Sequence, residues 1–222
     1  MVVMARFDKA LRGYYDDQAR VYDDIYLRTD PAWRRDLEAL TDGMVKALAG
    51  RRVLELACGA GYWTEILAKV AEHVVAIDAS EKMLAVARKR TPSINVEYRF
   101  GDAYTLARVP DEFDGGLANF WFSHVPKARV NEFLRGFHEK LEKNAVVFMA
   151  DNVYIPGIGG QLVSKAGIED TFKLRVGSDG KKYEVLKNYY NRDALRRLLF
   201  PQTLNLKIRE TEHFWSVEYN VP

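Results

Sequence analysis

Short apolar runs alternate along the chain with stretches in which apolar residues return at helical spacing. Continuous runs over 52–57, 73–77, 95–99, 114–119 and 145–150 suit strands buried on both faces, as a parallel sheet flanked by helices requires. Between them, the spacing over 62–70, 80–90 and 128–140 predicts helices. In 80–90, Ser80 is a suitable N-cap, and Met83, Leu84, Val86 and Ala87 share one apolar face. Two helices precede the sheet, over 4–26 and 32–48, with Asp30-Pro31 as their boundary and Gly50 as a stop. After a helix over 192–199, the runs 204–211 and 214–221 are close enough to pair as a hairpin. Alternation of strand and helix implies parallel strands with right-handed crossovers.

Between 152 and 187 the alternation breaks. Pro156 and the glycines of YIPGIGGQ predict a bent loop, and TFKLRV, GSDG and KKYEVL predict strand, turn and strand. The chain is expected to form one domain over 1–222. Its parts are a helical cover (1–50), an alternating strand-helix core (51–151), a lid-like insertion (152–187) and a final helix and hairpin (188–222).

Candidate chemistry concentrates at VLELACGAGYWT, 53–64, where a buried strand meets a small-residue turn and then a helix. Gly59 and Gly61 let the backbone turn tightly and approach a ligand, with the first amides of the helix pointing at it. A dinucleotide turn would place a third small residue where this chain has Thr64. An acid for a ribose is expected about 20 residues after such a turn, and Asp78 ends the next apolar run.

These residues resemble the first motif of the class I S-adenosylmethionine-dependent methyltransferases, acid-x-small-x-Gly-x-Gly, through Glu55, Ala57, Gly59 and Gly61. The resemblance continues over 52–151. It implies a Rossmann-like, seven-stranded, mostly parallel sheet with helices on both faces and a C-terminal antiparallel hairpin. It implies S-adenosylmethionine as cofactor and S-adenosylhomocysteine as product. On this pattern Asp78 and neighbouring Ala79 meet the ribose, Met83 lies against adenine or ribose, and Asp102 with Ala103 reads the adenine amino group. Asn119 ends the strand beside the methionine part. The tyrosines of GYYDDQARVYDDIY fit a family pattern in which a tyrosine closes over the carboxylate or methyl end, a role carried to Tyr22 and, after it, Tyr14 and Tyr15. Tyr22, Trp63, Phe120 and Trp121 are aromatic candidates for accommodating the sulfonium. His124, at the carboxyl end of the sheet, is the candidate general base, since an imidazole titrates near neutrality. Packing alone would account for any one of these aromatics.

Composition narrows the partners. The chain has 33 basic and 31 acidic residues, a net charge of +2, so it carries no overall electrostatic footprint for nucleic acid. Asn119-Phe120-Trp121-Phe122 lacks the Pro-Pro pair of base-amino methyltransferases, and the single cysteine, Cys58, sits in the cofactor turn rather than at an acceptor. One cysteine also excludes disulfides within the chain and a thiolate metal cluster, and no metal is expected. With no secretory core or membrane-length apolar run, a cytoplasmic enzyme is expected. The expected acceptor is a small molecule methylated on oxygen or nitrogen. An RNA or protein methyltransferase, a cofactor-binding module without catalysis and a Rossmann oxidoreductase stay open as alternatives, as does the oligomeric state.

Overall fold

The computed structural model describes residues 2–19, 28–106, 109, 112–178 and 180–222. Two helices, α1 (Val2–Gln18) and α2 (Pro31–Leu48), precede a sheet built from β1 (Arg52–Leu56), β2 (His73–Asp78), β3 (Val96–Phe100), β4 (Phe113–Asn119) and β5 (Leu141–Asn152). Helices α3 (Tyr62–Leu67), α4 (Glu81–Arg90) and α5 (Val130–His138) connect these strands, and α6 (Arg192–Leu199) leads into β9 (Leu204–Glu210) and β10 (Phe214–Asn220). The strand order is β3-β2-β1-β4-β5-β10-β9. Strands β1 to β5 are parallel, and β10 runs antiparallel to both β5 and β9. The seven-stranded Rossmann-like architecture and its closing hairpin are as the sequence predicts.

Helices α2, α4 and α6 start where a side chain satisfies a first amide. Asp30 accepts from Trp33 N at 2.8 Å with Pro31 behind it, Ser80 accepts from Met83 N at 3.2 Å, and Asn191 accepts from Ala194 N at 2.9 Å. Amphipathicity then decides the layers. On one face of the sheet, Trp33, Leu37, Leu40, Met44 and Leu48 of α2 pack with Trp63, Leu67 and Leu84. On the other, Val130, Phe133, Leu134 and Phe137 of α5 pack with Leu195 and Leu199 of α6. Burying each such side chain contributes about 1.5–3 kcal/mol before the entropic cost of ordering it.

Three boundaries differ from expectation. The first helix ends at Gln18 rather than 26, and residues 20–27 lie outside the described ones. Strand β5 begins at Leu141, hidden in the sequence by the exposed Glu142-Lys143-Asn144, of which Asn144 has φ 64°. The insertion is a three-stranded antiparallel sheet rather than a hairpin: β6 (Gln161–Lys165), β7 (Ile168–Val176) and β8 (Lys182–Leu186). β6 is short and half-polar, and it follows Gly159-Gly160, both at positive φ, so it reads as loop. Helix α1 lies against β8. Tyr14 meets the Tyr183 ring edge-on at 5.8 Å, and the Asp17 carboxylate accepts from Ser178 N and, at 2.7 Å, Ser178 Oγ.

Candidate active site

The strand order reverses between β1 and β4, and such a switch point opens a crevice beyond the carboxyl ends of the strands. Here the turn after β1 uses positive φ at Ala57 (54°), Gly59 (56°) and Gly61 (82°). A Cβ on Gly61 would stand 2.9 Å from Ala87 Cβ and 3.2 Å from Tyr98 Oη, so this glycine lets α3 pack against α4 and β3. Asp78, ending β2, holds the turn from the side: Oδ2 accepts from Gly59 N and Oδ1 from Ser80 N, both at 2.8 Å. Each oxygen keeps a lone pair for a ligand hydroxyl. Burial pushes the Asp78 carboxyl up to about 6 against these amides, and the Asp16 carboxylate of α1, bonded to Ser80 Oγ, adds to the rise.

Glu55 lies beneath the turn. It is buried, accepts from Thr64 Oγ at 2.7 Å, and burial pushes its pKa to about 8. Thr64, which departs from a dinucleotide turn, is therefore the internal partner of the motif's acid. Burial, with Asp78 and Glu55 nearby, also pushes the Cys58 thiol well up, as expected of an inert buried cysteine.

A cavity of about 950 Å³, counting its open mouth, occupies the crevice. Among the sequence-predicted residues Tyr15, Ala57, Gly59, Trp63, Asp78, Ala79, Met83, Asp102, Ala103, Asn119 and His124 line it. Glu55, Gly61 and Tyr14 stand behind the wall; Tyr22 lies outside the described residues. Ser80 and Tyr104, and Leu11 and Arg12 of α1, also line it without having been singled out. For Ser80 the capping role had concealed its place on the cavity wall, and Leu11 and Arg12 precede the tyrosine pattern of α1.

The end of β4 supplies polar atoms that await partners. Asn119 is buried, its Nδ2 lies 3.5 Å from Met44 Sδ, and its Oδ1 has no partner; the buried Trp121 Nε1 is likewise unpaired. An unmet buried acceptor costs free energy, and here it faces the cavity where a ligand amino group would satisfy it. Phe120, at φ 57°, stacks on Trp63 with ring centres 5.8 Å apart and planes at 18°. The wall beside the unpaired atoms is thus aromatic.

His124 closes this end. Its Nδ1 lies 2.6 Å from Leu186 O and its Nε2 2.8 Å from Tyr15 Oη. A carbonyl only accepts, so Nδ1 carries the hydrogen and Nε2 accepts from the tyrosine hydroxyl. Burial, then the nearby Lys187 charge, lowers the imidazole to about 3, so it is neutral across the physiological range. The lone pair on Nε2 is engaged by Tyr15, and both residues line the cavity. Behind it, Lys187 Nζ donates to Asp151 Oδ1 at 2.8 Å and Ser123 Oγ at 2.7 Å, tying the end of β8 to the end of β5. Burial favours a protonated Asp151, but Lys187, His124 and Ser123 outweigh it and hold the carboxyl below its usual range.

Comparison with known proteins agrees with this architecture. Residues 53–144 match the model of a methyltransferase domain family. The chain is 32% identical over 187 residues to a demethylmenaquinone methyltransferase of Clavibacter sepedonicus, covering 83% of this chain and 73% of that one. It is 28% identical to a malonyl-[acyl-carrier protein] O-methyltransferase of Bacillus cereus over 87% of this chain and 69% of that one. In several shorter matches it spans about half the length of the curated relative. Among solved structures, the complex of DhpI with SAH superposes with a TM-score of 0.75 at 26% identity, covering 97% of each chain. With the Gly-x-Gly turn, the Asp78 carboxylate and the switch-point cavity in place, the chain belongs to the class I S-adenosylmethionine-dependent methyltransferases.

Proposed function

We propose that this methyltransferase acts on an oxygen or nitrogen atom of a small molecule seated between the cofactor and the cover formed by α1 and the β6–β8 sheet. The observation that carries this is the cavity itself, which runs from the Gly59 turn and Asp78 to Tyr15, Trp121 and His124. S-adenosylmethionine, when bound, supplies a methyl group activated by the adjacent sulfonium. The residues of the chain supply position. Asp78 accepts from the ribose hydroxyls, Met83 and Ala103 flank the adenine, and Asp102 accepts from its amino group. Asp102 Oδ1 already accepts from Tyr104 N at 2.9 Å, which fixes the carboxylate. Asn119 Oδ1 receives the amino group of the methionine end. Trp63, Phe120 and Trp121 exclude water beside the sulfonium. Tyr15, held by His124, orients the acceptor atom for in-line attack by accepting a hydrogen bond from its O–H or N–H through the hydroxyl oxygen.

A small acceptor is favoured over nucleic acid because Leu11, Arg12 and Tyr15 of α1 line the cavity, the insertion braces α1 from behind, and the net charge is only +2. Among the described residues no helix is long and apolar enough to cross a membrane, and action in the cytoplasm belongs to the same proposal. The test is a methyl-transfer screen of phenols, amines and carboxylates with labelled cofactor. Transfer to a small acceptor, reduced in Tyr15→Phe, supports the assignment; transfer only to RNA or protein would refute it.

A further inference from the structure

Strand β7 carries two cations, Lys173 and Arg175, that no carboxylate among the described residues pairs with. Lys173 and Arg175 alternate with Phe172 and Leu174, so they share one face of the small sheet. Lys173 is 1% exposed; its Nζ donates to Ile158 O at 3.0 Å and Gly160 O at 2.7 Å and lies 5.1 Å from the Tyr154 ring centre and 5.7 Å from that of Tyr189. The Arg175 guanidinium sits 5.9 Å from the Tyr14 ring centre and faces the Gly159 backbone. Its Nε is buried without a hydrogen-bond partner, and among the described residues no carboxylate pairs with either cation. Asp151 is taken by Lys187, Glu184 by Lys165, and Asp170 accepts from Lys127 N and Asn188 Nδ2. Arg175 is close enough to depress protonation of His124, Lys187 and Lys173.

A cationic cluster with one carboxylate for three charges is costly to bury. The cost falls if a ligand brings the missing negative charge. The tyrosines Tyr14, Tyr154 and Tyr189 around it offer hydroxyl donors and apolar ring faces rather than counter-charge. The cluster adjoins the Tyr15–His124 pair through Tyr14, whose ring centre lies 5.2 Å from that of Tyr15 and 5.9 Å from the Arg175 guanidinium.

We propose that Arg175, supported by Lys173, is the anchor for an oxyanion group of the methyl acceptor, a carboxylate or phosphate, and so selects acidic small molecules. This rests on the acceptor site proposed above. The guanidinium presents a planar fork that matches such a group, and its buried Nε gains the partner it lacks. Anchored there, the ligand extends past Tyr15 toward the cavity, where its methyl-accepting atom is presented.

The test titrates the protein saturated with S-adenosylhomocysteine against sodium phosphate and, separately, sodium acetate at constant ionic strength, with chloride as control, and repeats both without the thioether. Saturable binding of at least one anion is expected, weakened about tenfold or more in Arg175→Gln and less in Arg175→Lys. S-adenosylhomocysteine affinity should stay within about twofold in both variants, which also reports that they fold. Preference for phosphate assigns a phosphoryl-bearing acceptor, and preference for acetate a carboxylic acid. Binding no stronger than chloride, or equal binding by wild type and Arg175→Gln, overturns the anchor. Failure of wild type to bind S-adenosylhomocysteine would instead overturn the cofactor site, and the thioether-free titrations read the anchor independently.

Discussion

The two ends of the cavity are built by different means. At the β1–β2 end, main chain does the shaping: positive φ at Gly59 and Gly61, and amides held by one carboxylate, Asp78. At the β4–β8 end, groups from distant segments converge: the Tyr15 side chain from α1, that of His124 from the loop after β4, and the Leu186 carbonyl and Lys187 ammonium from the insertion. The first end is a backbone mould for a ligand common to a whole family. The second is a set of replaceable groups on elements outside the core, and on the function proposed above it is where acceptor identity can change without disturbing the mould.

The sharpest way to break the mould is Gly61→Ala. The new Cβ would stand 2.9 Å from Ala87 Cβ at a φ of 82°. Left-handed strain and overpacking together are expected to cost about 2–4 kcal/mol, read by denaturant unfolding, with loss of S-adenosylhomocysteine binding. Unchanged stability would show that α3 can move away from α4.

Next is Asp78→Ala, expected to weaken S-adenosylhomocysteine about tenfold to a hundredfold by loss of a charge-assisted acceptor. Its pH dependence separates binding from stability. With the folded carboxyl near 6 against an ordinary 3.8, the native state holds the proton longer than the unfolded chain. From this group, stability of the ligand-free protein should fall as pH rises from about 4 to about 6. Cofactor affinity should rise over the same interval as the acceptor ionises. Parallel pH profiles for the two would contradict the assignment.

On the other end, Tyr15→Phe and His124→Gln should lower turnover about tenfold while leaving S-adenosylhomocysteine affinity nearly unchanged. Because the imidazole titrates near 3, it adds no inflection between pH 6 and 8. An inflection abolished by His124→Gln would show the ring itself gaining and losing the proton. The smallest effect is expected for Glu55→Gln. A group near 8 is already protonated at pH 7, and glutamine keeps an oxygen for Thr64 Oγ. Stability at pH 7 should change by no more than about 0.5 kcal/mol, and a large loss would mean that the carboxylate charge is needed.

How far each end could be read from sequence follows from the same contrast. The mould is local: strand, turn and the acid ending the next strand recur at spacings fixed by the βαβ unit, so Gly59 and Asp78 could be singled out before any coordinates, and the family resemblance added Met83 and Asp102. The hairpin of β9 and β10 was equally visible because its two apolar runs adjoin. His124 could be singled out by position, but its partner Tyr15 is 109 residues away and only the fold joins them. Lys173 and Arg175 were invisible because charges alternating along a strand read as a solvated face. They are drawn against α1 and Tyr154 only once β6 to β8 form a sheet of their own.

The most direct test is calorimetric titration of S-adenosylhomocysteine into wild type, Asp78→Ala and Tyr15→Phe. Separate cofactor and acceptor ends require tight binding by wild type, about tenfold or greater weakening in Asp78→Ala, and an affinity within about twofold of wild type in Tyr15→Phe. No binding by folded wild type, or equal affinities for wild type and Asp78→Ala, would contradict the cofactor site at the Gly59 turn.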